Sequence, residues 1–114
     1  MTVYVDNARI PARVGRITGR WSHLTADTRE ELHAFAQCLG LRRAWFQTCK
    51  RSAACRPAER CVHWHYDVTD SKRQAAVAAG AQPIDLHQMA SIIRARRDAA
   101  DGPGRAANRT GVTA

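Results

Sequence analysis

Trp21 to Leu41 reads WSHLTADTREELHAFAQCLGL, and its reading decides the fold because it holds the clearest helix of the chain. Thr28 followed three residues later by Glu31 is a capping box, in which hydroxyl and carboxylate each satisfy a backbone N–H that the first helical turn leaves unpaired. A helix is therefore predicted from about Thr28. Leu32, Phe35, Ala36 and Leu39 recur on one helical face, and Gly40 supplies the left-handed residue that commonly ends a helix. Glu30 and His33 are neighbours on that helix surface, and His23 and Asp27 lie just before its positive end. Together these four can form a half-shell of metal ligands or an acid–base pair. Equally, Asp27 can simply favour the helix dipole and His33 can be a boundary residue.

Upstream of the helix, Thr2 to Asp6 (TVYVD) is β-branched and aromatic and predicts the first strand, with Val3 and Val5 on one face and Tyr4 and Asp6 on the other. Asp6 stands at the carboxyl end of that strand, where open α/β sheets place ligand groups. Residues 7–22 contain Pro11, Gly15 and Gly19 and are expected to form a long ordered loop, whose Arg16 and Arg20 can grip phosphate.

Downstream, Ala44 to Gln47 suits a second strand, which would complete a βαβ unit with a right-handed crossover. Residues 48–62 have no periodicity and predict an exposed loop. Cys49, Cys55 and Cys61 recur in it, with His63 following, but without the tight Cys pair of structural zinc sites, so thiols are expected there. His63, His65 and Asp67 share one face of a predicted strand while Trp64, Tyr66 and Val68 share the other, and an H-x-H-x-D array of this kind can bind a divalent ion. Thr69 caps a helix over Asp70–Ala79. Lys72 and Arg73 sit in its first turn, where cations oppose the dipole, which suggests that they serve an anion. Ala81–Ile84 predicts an edge strand because of Pro83. Asp85 and Gln88 form a second capping box, for a helix with Leu86, Met89, Ala90 and Ile93 as its buried stripe. The composition of residues 98–114 predicts a disordered basic tail.

A chain of 114 residues is expected to be one domain, here residues 1–97. No apolar run approaches the roughly 20 residues of a membrane span, and the amino terminus does not read as a signal peptide, so a cytoplasmic protein with no membrane partner is expected. The net charge of +8 is concentrated: residues 42–60 carry six cations against Glu59, and residues 94–114 five arginines against Asp98 and Asp101. Such segments fit nucleic acid or a nucleotide, although sixteen arginines against two lysines also fit coding bias. No Walker loop, G-x-G-x-x-G or G-x-S-x-G occurs, which disfavours P-loop NTPases, dinucleotide enzymes and α/β hydrolases.

Taken together, VYVDNAR, WSHLTADTREELHAFA, LGLRRAWFQ and HYDVTDSKRQAAVAAGA resemble a bacterial and phage family catalogued as domain of unknown function 4031, over residues 2 to about 85. The family pattern reads VYVDD, so Asn7 replaces a second acidic residue. His23, Asp27, His33, His65 and Asp67 match the family's polar marks, and Lys72 and Arg73 its basic pair; the cysteine-bearing loop matches no block. The resemblance implies no activity.

The expected fold is a small α/β domain with a short, mainly parallel sheet flanked by three helices. The function expected first is a nuclease-like, metal-dependent phosphoester hydrolase. In it Asp6, His23, Asp27, His65 and Asp67 hold a divalent ion (Mg, Mn or Zn) that activates water, His33 and Asp27 are catalytic with His33 as general base, and Lys72, Arg73, Arg16 and Arg20 hold phosphate. The alternative is a non-catalytic module that binds nucleic acid or protein through the basic loop 42–60 and the tail.

Overall fold

Ile17–Ala26 forms the longest strand, β3, and the rest of the sheet is built on its two edges. The computed structural model of the chain describes residues 2–48 and 61–113, with side chains described through residue 100. On one edge of β3 lie β1 (Val3–Val5) and β2 (Ile10–Val14), both antiparallel to it. On the other edge lies β4 (Tyr66–Thr69), also antiparallel, since Trp21 pairs with both Ile10 and Thr69 while Leu24 pairs with both Val5 and Tyr66. The only parallel pair among the described residues joins β1 to the edge strand β5 (Gln82–Pro83). The sheet is therefore mixed, and the mainly parallel sheet expected from the sequence is corrected: β3 turns the chain back on β1 before the first helix begins, so no βαβ crossover links them.

Residues 7–22 are not a long loop. Most of them pair as the β2–β3 hairpin, whose two-residue turn places Gly15 at φ 61°. A glycine with positive φ at the first turn position matches the strand twist of a tight hairpin, and Pro11 is tolerated because β2 is an edge strand. The register steps from Val5 opposite Leu24 to Ile10 opposite Trp21, which leaves extra residues on the first strand between β1 and β2. This bulge contains Arg9 at φ 47°, held by its N–H to Ser22 Oγ (3.1 Å) and its guanidinium to Asp70.

Helix α1 (Arg29–Leu39) starts on Thr28, whose Oγ1 accepts from Glu31 N–H at 3.1 Å, and ends on Gly40 at φ 88°. Helix α2 (Asp70–Ala78) is capped by Thr69. Helix α3 (Leu86–Thr113) opens on the reciprocal Asp85–Gln88 box. The helix runs on to Thr113, through residues whose composition predicts an irregular tail. Leu86 and Ala90 are exposed, so its inner side is carried by Met89, Ile93 and Arg96. The strand expected at 44–47 is instead a 3-10 turn over Arg43–Trp45, after which Gln47 alone bridges to His65.

One sheet face, with Val3, Val5, Leu24, Ala26, Tyr66 and Val68, packs against Leu32 and Ala36 of α1 and Ala76 of α2 to form the core. Burying a side chain such as Leu32 contributes about 1.5–3 kcal/mol. The alternation of a strand then sends Asp6, Trp21, His23, His65 and Asp67 to the opposite face. No helix among the described residues is long and apolar enough to cross a membrane.

Candidate metal centre

His23 on β3 stands directly across from Asp67 on β4, and His65 shares Asp67's face two residues earlier. One ligand atom from each of these three side chains lies within 4.8 Å of the other two. With metal–ligand bonds of about 2.0–2.2 Å, atoms sharing one ion lie about 3–4 Å apart, so small rotamer changes close the set. The side chains are 31, 21 and 25% exposed for His23, His65 and Asp67, which leaves one side of the cluster open to a further ligand.

Hydrogen bonds select which ring nitrogens are available. His65 Nδ1 lies 2.7 Å from the His63 carbonyl oxygen, which can only accept, so Nδ1 carries the proton and Nε2 is left for the cluster. Nε2 in turn faces Asp67 Oδ1 at 3.1 Å. Both nitrogens of His65 thus face oxygen atoms. His23 Nδ1 lies 2.7 Å from Asp6 Oδ2, so Nε2 is the nitrogen whose lone pair is left for an ion. The two rings meet edge to face at 5.0 Å.

Asp6, expected as a ligand, is not in that group, and its carboxylate faces the His23 ring instead. Its carboxylate is fully buried; Oδ1 accepts from the backbone N–H of His23 (2.9 Å) and of Ala8 (3.1 Å). The bulge between β1 and β2 supplies the reason, because the Asp6 side chain takes the place of a strand partner for these N–H groups. Burial pushes the Asp6 carboxyl up, but the bonds from the His23 ring and the two backbone N–H groups outweigh it and hold the group below its ordinary value. The bond to Asp6 raises His23 against the opposing effect of burial, with the Asp6 and Asp67 charges adding to the rise. Asp67 behaves like Asp6: burial raises it, and the His65 bond and charge, then Gln47 and His23, bring it below the ordinary value. Gln47 donates Nε2 to Asp67 Oδ2 at 2.6 Å, a role that sequence reading missed because Gln47 reads as a strand end.

The other expected site residues lie elsewhere. His33 is on the core side of the sheet, with Nδ1 2.9 Å from Tyr66 Oη and its ring against Phe46 at 4.6 Å. Since Tyr66 alternates with His65 and Asp67 on β4, the sheet itself separates His33 from the cluster. Burial, then the charges of Arg43 and Arg29, lower its pKa. His33 lines a recess of about 290 Å³ with Gln37, Leu41, Arg43 and Tyr66. Asp27 is exposed at the far end of β3, where it accepts from Tyr4 Oη (2.8 Å) and Thr2 N–H (2.9 Å). Lys72 donates Nζ to the Leu39 carbonyl at 2.9 Å, so its charge answers the negative carboxyl end of α1, which resolves its odd place in the first turn of α2. Arg73 donates Nε to the Asp6 backbone carbonyl at 2.8 Å. Arg16 and Arg20 are exposed on the hairpin. Cys61 is buried, and its Sγ accepts from the His63 N–H; Cys49 and Cys55 lie outside the described residues, as does most of the basic loop 42–60.

Fold and site define a small mixed-sheet α/β protein carrying a two-histidine, one-aspartate cluster on the sheet face opposite its core. The chain belongs to the family described as "Protein of unknown function (DUF4031)", which matches residues 3–96. No curated protein and no solved structure matches the chain.

Proposed function

We propose that this protein is a metal-dependent phosphoester hydrolase whose single divalent ion is held by His23, His65 and Asp67. The observation that carries this reading is the convergence of these three ligand atoms within 4.8 Å, with both imidazoles fixed through Nδ1. Two imidazoles and one carboxylate suit Zn2+, Mn2+ or Fe2+ better than Mg2+, which favours oxygen ligands. Three protein ligands also leave room for water, the arrangement of catalytic and not of structural zinc sites. A bound ion would supply Lewis acidity and lower the pKa of that water. Asp6 and Gln47 orient His23 and Asp67. The choice of a phosphoester follows from the net charge of +8.

Calorimetric titration of metal-free protein with Zn2+ and Mn2+, with parallel assays on bis(4-nitrophenyl) phosphate, tests the reading. One ion bound per chain and metal-dependent release of nitrophenolate are expected. Binding without turnover on phosphodiesters or monoesters would remove the hydrolase and leave a metal site. Absence of binding would remove both, and leave the non-catalytic binding module ahead.

A further inference from the structure

The β2–β3 hairpin projects its turn beyond the strands that flank it, since β4 pairs with β3 only over Trp21–Leu24. Its paired residues share faces. Ile10 with Trp21, Ala12 with Gly19 and Val14 with Ile17 form one face, and Pro11 with Arg20 and Arg13 with Thr18 the other. The first face is apolar and open: Ile10, Val14 and Ile17 are 51, 49 and 50% exposed, half of the large hydrophobic residues exposed on the molecule's described part. It is also the face of the metal cluster, because Trp21 and His23 are alternate residues of one strand. The second face carries Arg13 and Arg20, and Arg16 sits at the turn; none of the three has an acidic partner within ion-pair distance among the described residues.

We infer that this hairpin is an arm that binds single-stranded nucleic acid, laying unpaired bases on Ile10, Val14, Ile17 and Trp21 while Arg13, Arg16 and Arg20 hold the phosphates. The inference rests on the hydrolase reading for the chemistry at the cluster and names its substrate class. Six residue steps along β3 lead from Ile17 to His23, about 20 Å, which accommodates up to about six stacked nucleotides. A strand running along the apolar face reaches the His23–His65–Asp67 cluster at its far end.

Geometry favours this occupant over three others. A duplex keeps its bases stacked inside and has nothing to cover the apolar face. A membrane is flat, and it cannot meet an apolar face and arginines on the reverse face together, whereas a flexible strand can wrap a ribbon two strands wide. Edge pairing with a second copy is opposed by Pro11, which has no N–H: it is paired with Arg20 between the closely bonded pairs of the hairpin, and so presents its nitrogen outward.

The test is fluorescence anisotropy of a labelled oligothymidylate and of a duplex of equal length, in EDTA so that the cluster plays no part. Wild type should favour the single strand. Arg13→Ala/Arg16→Ala/Arg20→Ala should lower the slope of log affinity against log salt by about 2, at about 0.7 per lost phosphate contact. Val14→Ser/Ile17→Ser should weaken binding about ten-fold, through the loss of the apolar surface that the two half-exposed side chains would bury against bases, with the slope unchanged. Circular dichroism of both variants checks that they fold. Equal or tighter duplex binding, an unchanged slope in the arginine variant, tighter binding to anionic vesicles than to the oligonucleotide, or a dimer that the serine variant dissociates without loss of oligonucleotide binding would each overturn the inference. Arm-dependent oligonucleotide binding by a protein that takes up no Zn2+ would uphold it while removing the hydrolase reading.

Discussion

The Nδ1 of His23 lies 2.7 Å from Oδ2 of the fully buried Asp6, so one carboxylate both repairs the strand bulge and aims an imidazole at Asp67. Carboxylate–imidazole pairs of this kind fix the tautomer of a ligating histidine and raise its basicity. Asp6→Asn should therefore lower Zn2+ affinity about 10- to 100-fold. It should also cost about 1–3 kcal/mol of stability, because the two backbone N–H groups on Oδ1 lose a charged acceptor. Calorimetric titration and urea unfolding of the variant measure the two effects; unchanged metal affinity would make Asp6 purely structural.

Substitution of the ligands separates a different pair of roles. His65→Ala and Asp67→Asn should each abolish divalent-ion binding, and Asp67→Asn should leave the metal-free protein close to wild type in stability because the amide still pairs with Gln47. Thermal unfolding with and without Mn2+ reads this. Strong destabilisation of both variants, with no ion-dependent shift in wild type, would mark the cluster as a hydrogen-bonded core element.

Stability of the metal-free protein should depend on pH through the same pair. Pairing raises His23 above its ordinary 6.5, so its contribution is complete below that value and is lost as pH rises through the higher folded pKa. Asp6 lies below its ordinary 3.8, so its contribution is complete above that value and is lost as pH falls through the lower folded pKa. The pair therefore adds most between the two ranges. Urea midpoints followed across both limbs in EDTA should fall on each side, and His23→Gln should flatten the alkaline fall. An alkaline fall unchanged in His23→Gln would assign it to another group.

Arg96 anchors α3. It donates to Thr25 Oγ1 (2.6 Å), the Ala26 carbonyl (2.7 Å) and the Val62 carbonyl (3.0 Å), its guanidinium lies 3.5 Å from the Trp64 ring centroid, and burial pushes its pKa down to about 10. Arg96→Ala should cost about 3 kcal/mol or more, since several buried acceptors lose their donor together. Arg96→Lys should recover little, because an ammonium cannot fork across three acceptors and stack on an indole at once. Hydrogen exchange should show α3 exchanging faster in both variants; protection equal to wild type would show that Met89 and Ile93 suffice.

Local chemistry made much of this chain legible in its sequence. Thr28, Gly40, Thr69 and the Asp85–Gln88 box act within one helical turn, so capping placed the three helix starts and the end of α1. Strand alternation likewise put His65 and Asp67 on one face and Tyr66 on the other without reference to any partner. The sheet was not legible, because pairing is a long-range choice. Gly15 permits a tight hairpin, but only the docking of β3 against both β1 and β4 shows that residues 10–26 turn back as two strands. The site divides along the same line. His23, His65 and Asp67 are identifiable as ligand types, and their convergence comes from the register that sets His23 across from Asp67. His33 and Asp27 carry the same chemistry on nearby sequence, yet a sheet has two faces and a strand two ends. Tyr66 holds His33 on the core side, Thr2 and Tyr4 hold Asp27 at the far end of β3, and the bulge makes Asp6 the buried carboxylate that orients His23.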